Sequence, residues 1–450
     1  MSHNAQGERF VERSWGPSPP LRPAAPRGFV PHERTLSFIF MIDLTPDNQR
    51  PVPGLLILGR TNWRDRRRVF GIREVDRFQH VYAIGQTGTG KTTLLANLIW
   101  QDIMRGHGVA FLDPHGDTVE ELVARLPKRR RADLVYLNVP DPSSAVGFNP
   151  LEAVPLEQRA LAASGIVEAF KNVWGNTWGP RLEHILRNAL LTLLDQPEAT
   201  LADLSKLFTD DKFLKEALPR VTHPAVRDFW YTEFGRYPAR YRIEALAPIQ
   251  NKLGAFLSQP PLYRVLTRKN SGYTLRTLLD EGRVLLVNLA KGRIGGDGAA
   301  LLGAMIVSRI GLAGLSRADQ PEETRRPFWV YLDEFQSFTT LSVASMLSEL
   351  RKYRLGMTLA HQYLDQMEPE VQSAVFGNVG TMLVFRVGPL DTRLLIRLFA
   401  PEFEELDLAN LPNHQVVVRL TVQGEVARPF SAQTLRPLWK MEERDDGPAS

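Results

Sequence analysis

Gly85-Gln86-Thr87-Gly88-Thr89-Gly90-Lys91-Thr92-Thr93 decides how this chain reads. It fits the phosphate-loop pattern at every constrained position. The flanks fit too: His80–Ile84 before it reads as a strand, and Thr92–Trp100 after it as a helix. The physics is direct. Glycines let successive backbone N–H groups curl around a phosphate, and the start of a helix adds a favourable dipole. Gly85 to Thr93 is therefore the expected nucleotide-binding segment. Lys91 is expected to reach the β- and γ-phosphates and the Thr92 hydroxyl to ligate Mg2+. A chance glycine-rich turn is the competing reading, and it leaves the strand–helix context unexplained.

Outward from the loop, Val81–Ile84, Val109–Leu112 and Leu134–Leu137 are compact apolar runs separated by helical stretches, the pattern of buried parallel strands. From Leu156 to about Leu266 the strands stop. Leu156–Val173, Arg181–Leu194 and Ile243–Leu257 carry apolar residues at three-and-four spacing, which predicts amphipathic helices. Strands resume at Val284–Leu289, Trp329–Leu332, Met357–Ala360, Met382–Val387 and Val416–Leu420, with helices at Gly298–Leu315, Leu341–Tyr353 and Thr392–Phe399 between them. The fold class is α/β. The division expected is a Pro/Arg-rich disordered tail at 1–35 and a small β appendage at 36–75, with strands at Ser37–Asp43 and Gly54–Leu58. A nucleotide-binding domain follows in two parts, 76–155 and 273–440, around an all-helical insert at 156–272, and 441–450 is a polar tail.

Composition narrows the chemistry. The chain has 450 residues, 43% apolar and 23% charged, which excludes a wholly disordered or collagen-like protein. Cysteine is absent, so a disulfide scaffold, a thiolate nucleophile and a Cys-based metal site are excluded. The net charge is +5 and Arg outnumbers Lys about four to one, a balance suited to phosphate contacts. No apolar run approaches the roughly 18 residues a bilayer crossing needs, and the N-terminus has no signal-peptide core. The expectation is a cytoplasmic protein with no membrane span.

Further polar groups stand at strand ends, where ligands of open α/β sheets bind. Asp333 and Glu334 end the apolar run Phe328–Leu332. The first acid is expected to hold the Mg2+ shell and the second to activate water. Gln362, after Met357–Ala360 and His361, is a candidate γ-phosphate sensor, with His361 read as structural. Arg351 is the first candidate for an arginine donated to a neighbouring subunit, with Arg354 and Arg386 as competitors; a solvated helix end is the plainer reading. Asp113-Pro114-His115-Gly116-Asp117 ends another strand. There Asp113 and His115 are weighed as lining the site, and Asp117 as the cap of a helix at Thr118–Leu126.

Together these residues resemble the HerA/FtsK superfamily, and within it conjugative coupling proteins of the TraD/TraG type. The resemblance runs from about residue 70 to 435. It rests on Gly85–Thr93, Asp113–Asp117, Gly147–Pro150, Trp178–Arg181, Trp329–Glu334, Leu359–Gln362 and Asn378–Thr381 leading into Phe385 and Arg386. It implies a RecA-like P-loop NTPase domain with an inserted all-α domain, using ATP and Mg2+ in a homo-hexameric ring that pumps DNA. Lys91, Glu334, Gln362 and Arg351 would be catalytic, and Thr92 and Asp333 would hold the metal. DNA would be bound non-specifically through its phosphates, and a relaxase, nuclease or secretion-channel protein would be the partner. Membrane-bound members begin with spanning helices, which this sequence lacks. The segment Lys291–Gly296 and the helical insert are candidate pore elements. Two other readings stay open: an ATPase energising protein secretion or assembly, and an ATP-gated adaptor docking a relaxase or nuclease.

Overall fold

A computed structural model of the chain describes residues 54–62, 68–175 and 178–439. The tails expected at 1–35 and 441–450 and the strand expected at Ser37–Asp43 lie outside the described residues. In chain order the strands are β1 (Leu55–Thr61), β2 (Val69–Arg73), β3 (Val81–Ile84), β4 (Gly108–Asp113), β5 (Leu134–Asn138), β6 (Val284–Asn288), β7 (Phe328–Leu332), β8 (Leu355–His361), β9 (Thr381–Val384), β10 (Gln415–Arg419), β11 (Thr421–Val422), β12 (Glu425–Val426) and β13 (Phe430–Thr434). All but the β11–β12 ribbon form one sheet, in the order β2-β1-β13-β10-β9-β3-β8-β7-β4-β6-β5.

From β9 to β5 the pairing is parallel throughout, with Ile84 beside both His361 and Val384, and Phe111 beside Tyr331 and Leu286. Every β-to-β connection in this part is a crossover, so both faces are covered and the strands must be apolar on both sides. Side chains alternate accordingly. Tyr82, Ile84, Ala110 and Leu112 enter one core, while Val81, Ala83, Val109 and Phe111 enter the other. The helices Lys91–Met104 and Asp117–Arg125 cover the second face through Leu94, Leu98, Ile99, Val119 and Leu122. Helices Arg159–Trp174 and Gly296–Leu315 cover the first, meeting so closely that a Cβ on Gly165 would overlap the Ser308 hydroxyl.

Several expectations need correction. The described part of 36–75 is not a separate appendage. Its strands β1 and β2 extend the main sheet, β1 pairing antiparallel with β13 at Gly59–Thr434. Neither β2 nor β13 was expected, because Val69–Arg73 is interrupted by a glycine and Phe430–Thr434 is half polar. The strand expected at Met382–Val387 stops at Val384, so Arg386 lies beyond it. Within the continuous helical run Gly296–Asp319 an 18-residue window has mean hydropathy 1.7, enough by length and composition to cross a bilayer, contrary to the sequence reading. The same window is 83% buried inside the protein, as a core helix should be. Between β5 and β6 the described residues contain helices and no strand. Their apolar side chains, among them Ile185, Leu253 and Leu266, join the same core as one face of the sheet.

The amino ends of the strands are tied by buried polar groups. Arg77 forms a bidentate pair with Asp102 (2.8 and 2.7 Å), donates to the Tyr331 hydroxyl and stacks on Trp329. His80, with φ 62, joins three elements. Its Nε2 lies 2.9 Å from the Leu347 carbonyl and its Nδ1 accepts from Met357 N at 3.0 Å, so the ring is neutral with its proton on Nε2. Burial pushes its pKa down to about 4, with Arg351 adding to the shift against the Leu347 hydrogen bond. An unfolded histidine takes a proton near pH 6.5, so the unfolded state binds more protons between about pH 6.5 and 4, and stability falls as pH drops through that window. His80→Asn tolerates the left-handed backbone. The stability advantage of wild type over His80→Asn, from urea melts, is expected to shrink by about 2–3 kcal/mol between pH 7 and 4.5. An advantage constant with pH would show that His80 is not buried neutral.

Candidate active site

The topology places five polar strand ends in a row. The loop follows β3; next to it β8 delivers His361 and Gln362, β7 Asp333 and Glu334, β4 Asp113 and His115, and β6 Lys291. Each is a carboxyl end, because all five strands run parallel.

The loop is anchored on three sides. Gly85 N donates to His361 O, Gln86 N to Arg386 O (2.8 Å) and His414 N to Thr89 O (2.8 Å). The Thr89 hydroxyl donates to Gln86 O at 2.7 Å. Gly88 and Gly90 have φ of 77 and 117, and a Cβ on Gly90 would also press on the His414 ring at 2.7 Å. Thr87 lies at the exposed tip. The helix that starts at Lys91 has no side-chain cap and no acid in its first turn. Its leading N–H groups, those of Lys91, Thr92 and Thr93, are thus left for an anion.

Lys91 is buried, and its ammonium donates to Gly85 O (2.5 Å) and Gln86 O (3.0 Å). One of its three protons remains for a further acceptor. Burial lowers its pKa, and the nearby carboxylates Asp333 and Glu334 oppose that shift. The Thr92 hydroxyl donates to Asp333 Oδ2 at 2.8 Å, so both expected metal-holding groups are in contact. Asp333 is raised above the ordinary carboxyl range by burial, with Thr92 opposing and Asp113 adding to the rise. Its other oxygen accepts from Glu334 N at 3.0 Å.

Glu334 is the hub. Its backbone is left-handed, φ 46, and its side chain meets groups from three other strand ends. Oε1 accepts from Gln362 Nε2 (2.8 Å) and lies 3.0 Å from His115 Nε2, while Oε2 accepts from Lys291 Nζ at 2.5 Å. Burial would raise its pKa, but the Lys291 and His115 contacts outweigh burial and hold the carboxyl below its usual range. His361 is buried, with Nδ1 3.0 Å from the Tyr82 hydroxyl, and burial with help from Lys91 pushes its pKa down to about 3. It props the strand end as a neutral ring.

Two expectations change here. Asp117 does not cap its helix: Gly116 stands at the cap position, and Asp113 accepts from Thr118 N (3.0 Å) and Val119 N (3.1 Å). Lys291, in the segment read as a candidate pore element, touches Glu334. Its position directly after an apolar strand was the signal that could have found it. Arg351 is not brought into the cluster. It precedes β8 while Gln362 follows it, and seven residues of strand separate the two ends by about 20 Å. Arg354 stacks over Phe78 at the same far end. Arg386 reaches the loop of its own chain, donating to Gln86 Oε1 (3.3 Å) and Leu411 O (3.2 Å). A cavity of about 380 Å3 beside Glu152, Tyr273 and Arg309 contains none of these groups.

A seven-stranded parallel array with a phosphate loop, a tandem acid and a glutamine on adjacent strand ends can be compared with solved folds. The chain is similar in fold to TrwB, a bacterial conjugative coupling protein. Against the unbound form of its ΔN70 fragment the TM-score is 0.59 at 17% identity, covering 82% of this chain and 86% of that one. Against TrwB in complex with ADP and Mg2+ it is 0.58, again at 17% identity, with 81% and 87% covered. VirB4 of Thermoanaerobacter pseudethanolicus gives 0.58 at 14% identity, covering 87% of this chain and 99% of that chain. No protein-family model and no curated protein sequence matches the chain. The likeness expected from the motifs, to coupling proteins, is thus found in the fold.

Proposed function

We propose that the chain is a Mg2+-dependent ATPase that drives DNA, working as a homo-hexameric ring on the cytoplasmic side of a conjugative or DNA-processing apparatus, with 156–272 as its all-helical insert. The observation that carries the chemistry is the continuous contact line from the uncapped helix start through Thr92 and Asp333 to Glu334 and Gln362. Gly85 to Thr93 would wrap the phosphates, with Lys91 on the β- and γ-phosphates. Thr92 and Asp333 would hold Mg2+. Among the described residues no cluster of three or more His, Asp or Glu forms a metal cage, so the ion would share its shell with phosphate oxygens and water. The bound ion would neutralise charge on the phosphates; the protein positions and polarises.

Glu334, held ionised, would accept a proton from the attacking water, and Gln362 would link that carboxylate to the γ-phosphate. Arg386 would contact nucleotide within its own subunit. Arg351, far from its own loop, would be the residue donated to a neighbour's site. The same geometry serves an ATPase with protein cargo or an adaptor set by ATP, and the cargo decides between them. The test is steady-state hydrolysis with and without linear DNA at low and high salt, with Lys91→Ala as the blank. Several-fold stimulation that fades between 50 and 200 mM salt is expected, because phosphate contacts release counterions. Robust turnover indifferent to DNA would move the reading to protein cargo.

A further inference from the structure

Both oxygens of the Glu334 carboxylate are held by side chains. Lys291 holds Oε2, while His115 and Gln362 hold Oε1. A general base has to present an oxygen to the water it deprotonates. Gln362 and His115 share one oxygen, so the partner that decides whether the other is available is Lys291. Its mount is rigid. Leu289 N donates to Asp113 O (3.0 Å) and Lys291 N to Pro114 O (2.7 Å), and between them Ala290 holds a left-handed φ of 32 that is costly for a residue with a Cβ. Beyond Lys291 the character changes. Gly292, Arg293, Gly295 and Gly296 are exposed, and the Lys291 side chain itself is 37% exposed. One end of this segment therefore grips the base, while the rest presents cationic, glycine-rich chain to solvent.

We propose that Lys291 is a positioning residue that clamps Glu334 and releases it when the phosphate backbone of a nucleic acid draws its ammonium away. The inference rests on the reading of Glu334 as the base. An ammonium is a mobile point charge that exchanges one oxyanion for another, and Arg293, two residues on, supplies a second cation for the same phosphodiester chain. Hydrolysis would then be slow until cargo reaches the Lys291–Gly296 segment.

The test compares wild type with Lys291→Ala and Lys291→Arg. Turnover is measured without DNA and with saturating linear DNA, nucleotide affinity with a fluorescent ATP analogue, and backbone hydrogen exchange over 289–296 on the protein without nucleotide. For Lys291→Ala the DNA-free kcat is expected to rise about two- to fivefold, the scale of a partly exposed ion pair. DNA stimulation should shrink towards one, with nucleotide affinity unchanged. Lys291→Arg should keep much of the wild-type ratio. Exchange over 289–296 should quicken in Lys291→Ala and in wild type on adding DNA. A DNA-free kcat that is unchanged or lower in Lys291→Ala overturns the clamp, since a residue that only orients the base would give that result. Glu334→Gln in the same assay separates the two ideas. If it retains turnover, the base assignment fails and the clamp falls with it; if it abolishes turnover while Lys291→Ala lowers kcat, the clamp alone is wrong.

Discussion

Lys91→Ala is expected to lose nucleotide binding and turnover together. The ammonium sits at the start of the helix Lys91–Met104, with one proton uncommitted and two on the carbonyls of Gly85 and Gln86. A charged hydrogen bond to phosphate contributes about 1.5–3 kcal/mol, so losing the Lys91 contacts should weaken ATP affinity roughly 10–100-fold or more. A second effect adds to it. The two loop carbonyls lose their donor, so the curl of the loop is less well fixed. Lys91→Arg is not a conservative control, since a planar fork cannot occupy the space of a compact ammonium. Titration with a fluorescent ATP analogue, alongside the thermal melting temperature, separates lost affinity from lost fold. ATP affinity within threefold of wild type would show that Lys91 does not meet the phosphates.

The parallel half of the sheet was legible because buried strands leave a one-dimensional trace. Val81–Ile84 and Phe328–Leu332 are unbroken apolar runs, Val284–Asn288 is apolar up to its last residue, and their reading matches the structure to within a residue. The antiparallel edge was harder. Phe430–Thr434 alternates burial, with Ser431 and Gln433 facing out, and its pairing partner Leu55–Thr61 lies almost the whole chain away. Such contacts are fixed by tertiary packing and leave little in local sequence. The site divides in the same way. The motifs gave Lys91, Thr92, Asp333, Glu334 and Gln362, and the structure brings all five together. The residues that hold Glu334 in place were not legible as a set. His115 and Lys291 are 176 positions apart in sequence, and they meet only because β4 and β6 are neighbours with Asp113 beside Asn288.

The cap of the helix Asp117–Arg125 shows how a local rule can choose the wrong acid. Asp117 has the right type and position for a cap, yet the chain enters the helix through Gly116 at φ 96. That turn lets Asp113, at the end of β4, reach forward to the N–H groups of Thr118 and Val119. The arrangement has a consequence for the site. With its carboxylate spent on the helix start, Asp113 fixes the turn that carries His115 towards Glu334 rather than offering an oxygen to a metal.

Glu334→Gln should lower kcat by about 100- to 10,000-fold while leaving nucleotide affinity and fold near wild type, the range that loss of a general base produces. The substitution keeps the size of the side chain, and its surroundings can accommodate the amide. A carboxylate accepts at both oxygens, whereas an amide accepts at one and donates at the other. Lys291 can only donate, so the amide oxygen must face it, and the new NH2 group takes the place of Oε1. There it meets His115 and Gln362, both of which can reverse their roles. A neutral imidazole offers a bare nitrogen when its proton moves to the other one, and the Gln362 amide can rotate to present its oxygen. Every hydrogen bond in the cluster can therefore be remade, and only the capacity to take a proton from water is lost. Steady-state turnover, single-turnover hydrolysis and a fluorescent-nucleotide titration on the same preparation measure the split. Turnover within tenfold of wild type at unchanged affinity would mean that water is activated without this carboxylate. Glu334 would then serve only to hold Lys291, His115 and Gln362 in register at the strand ends.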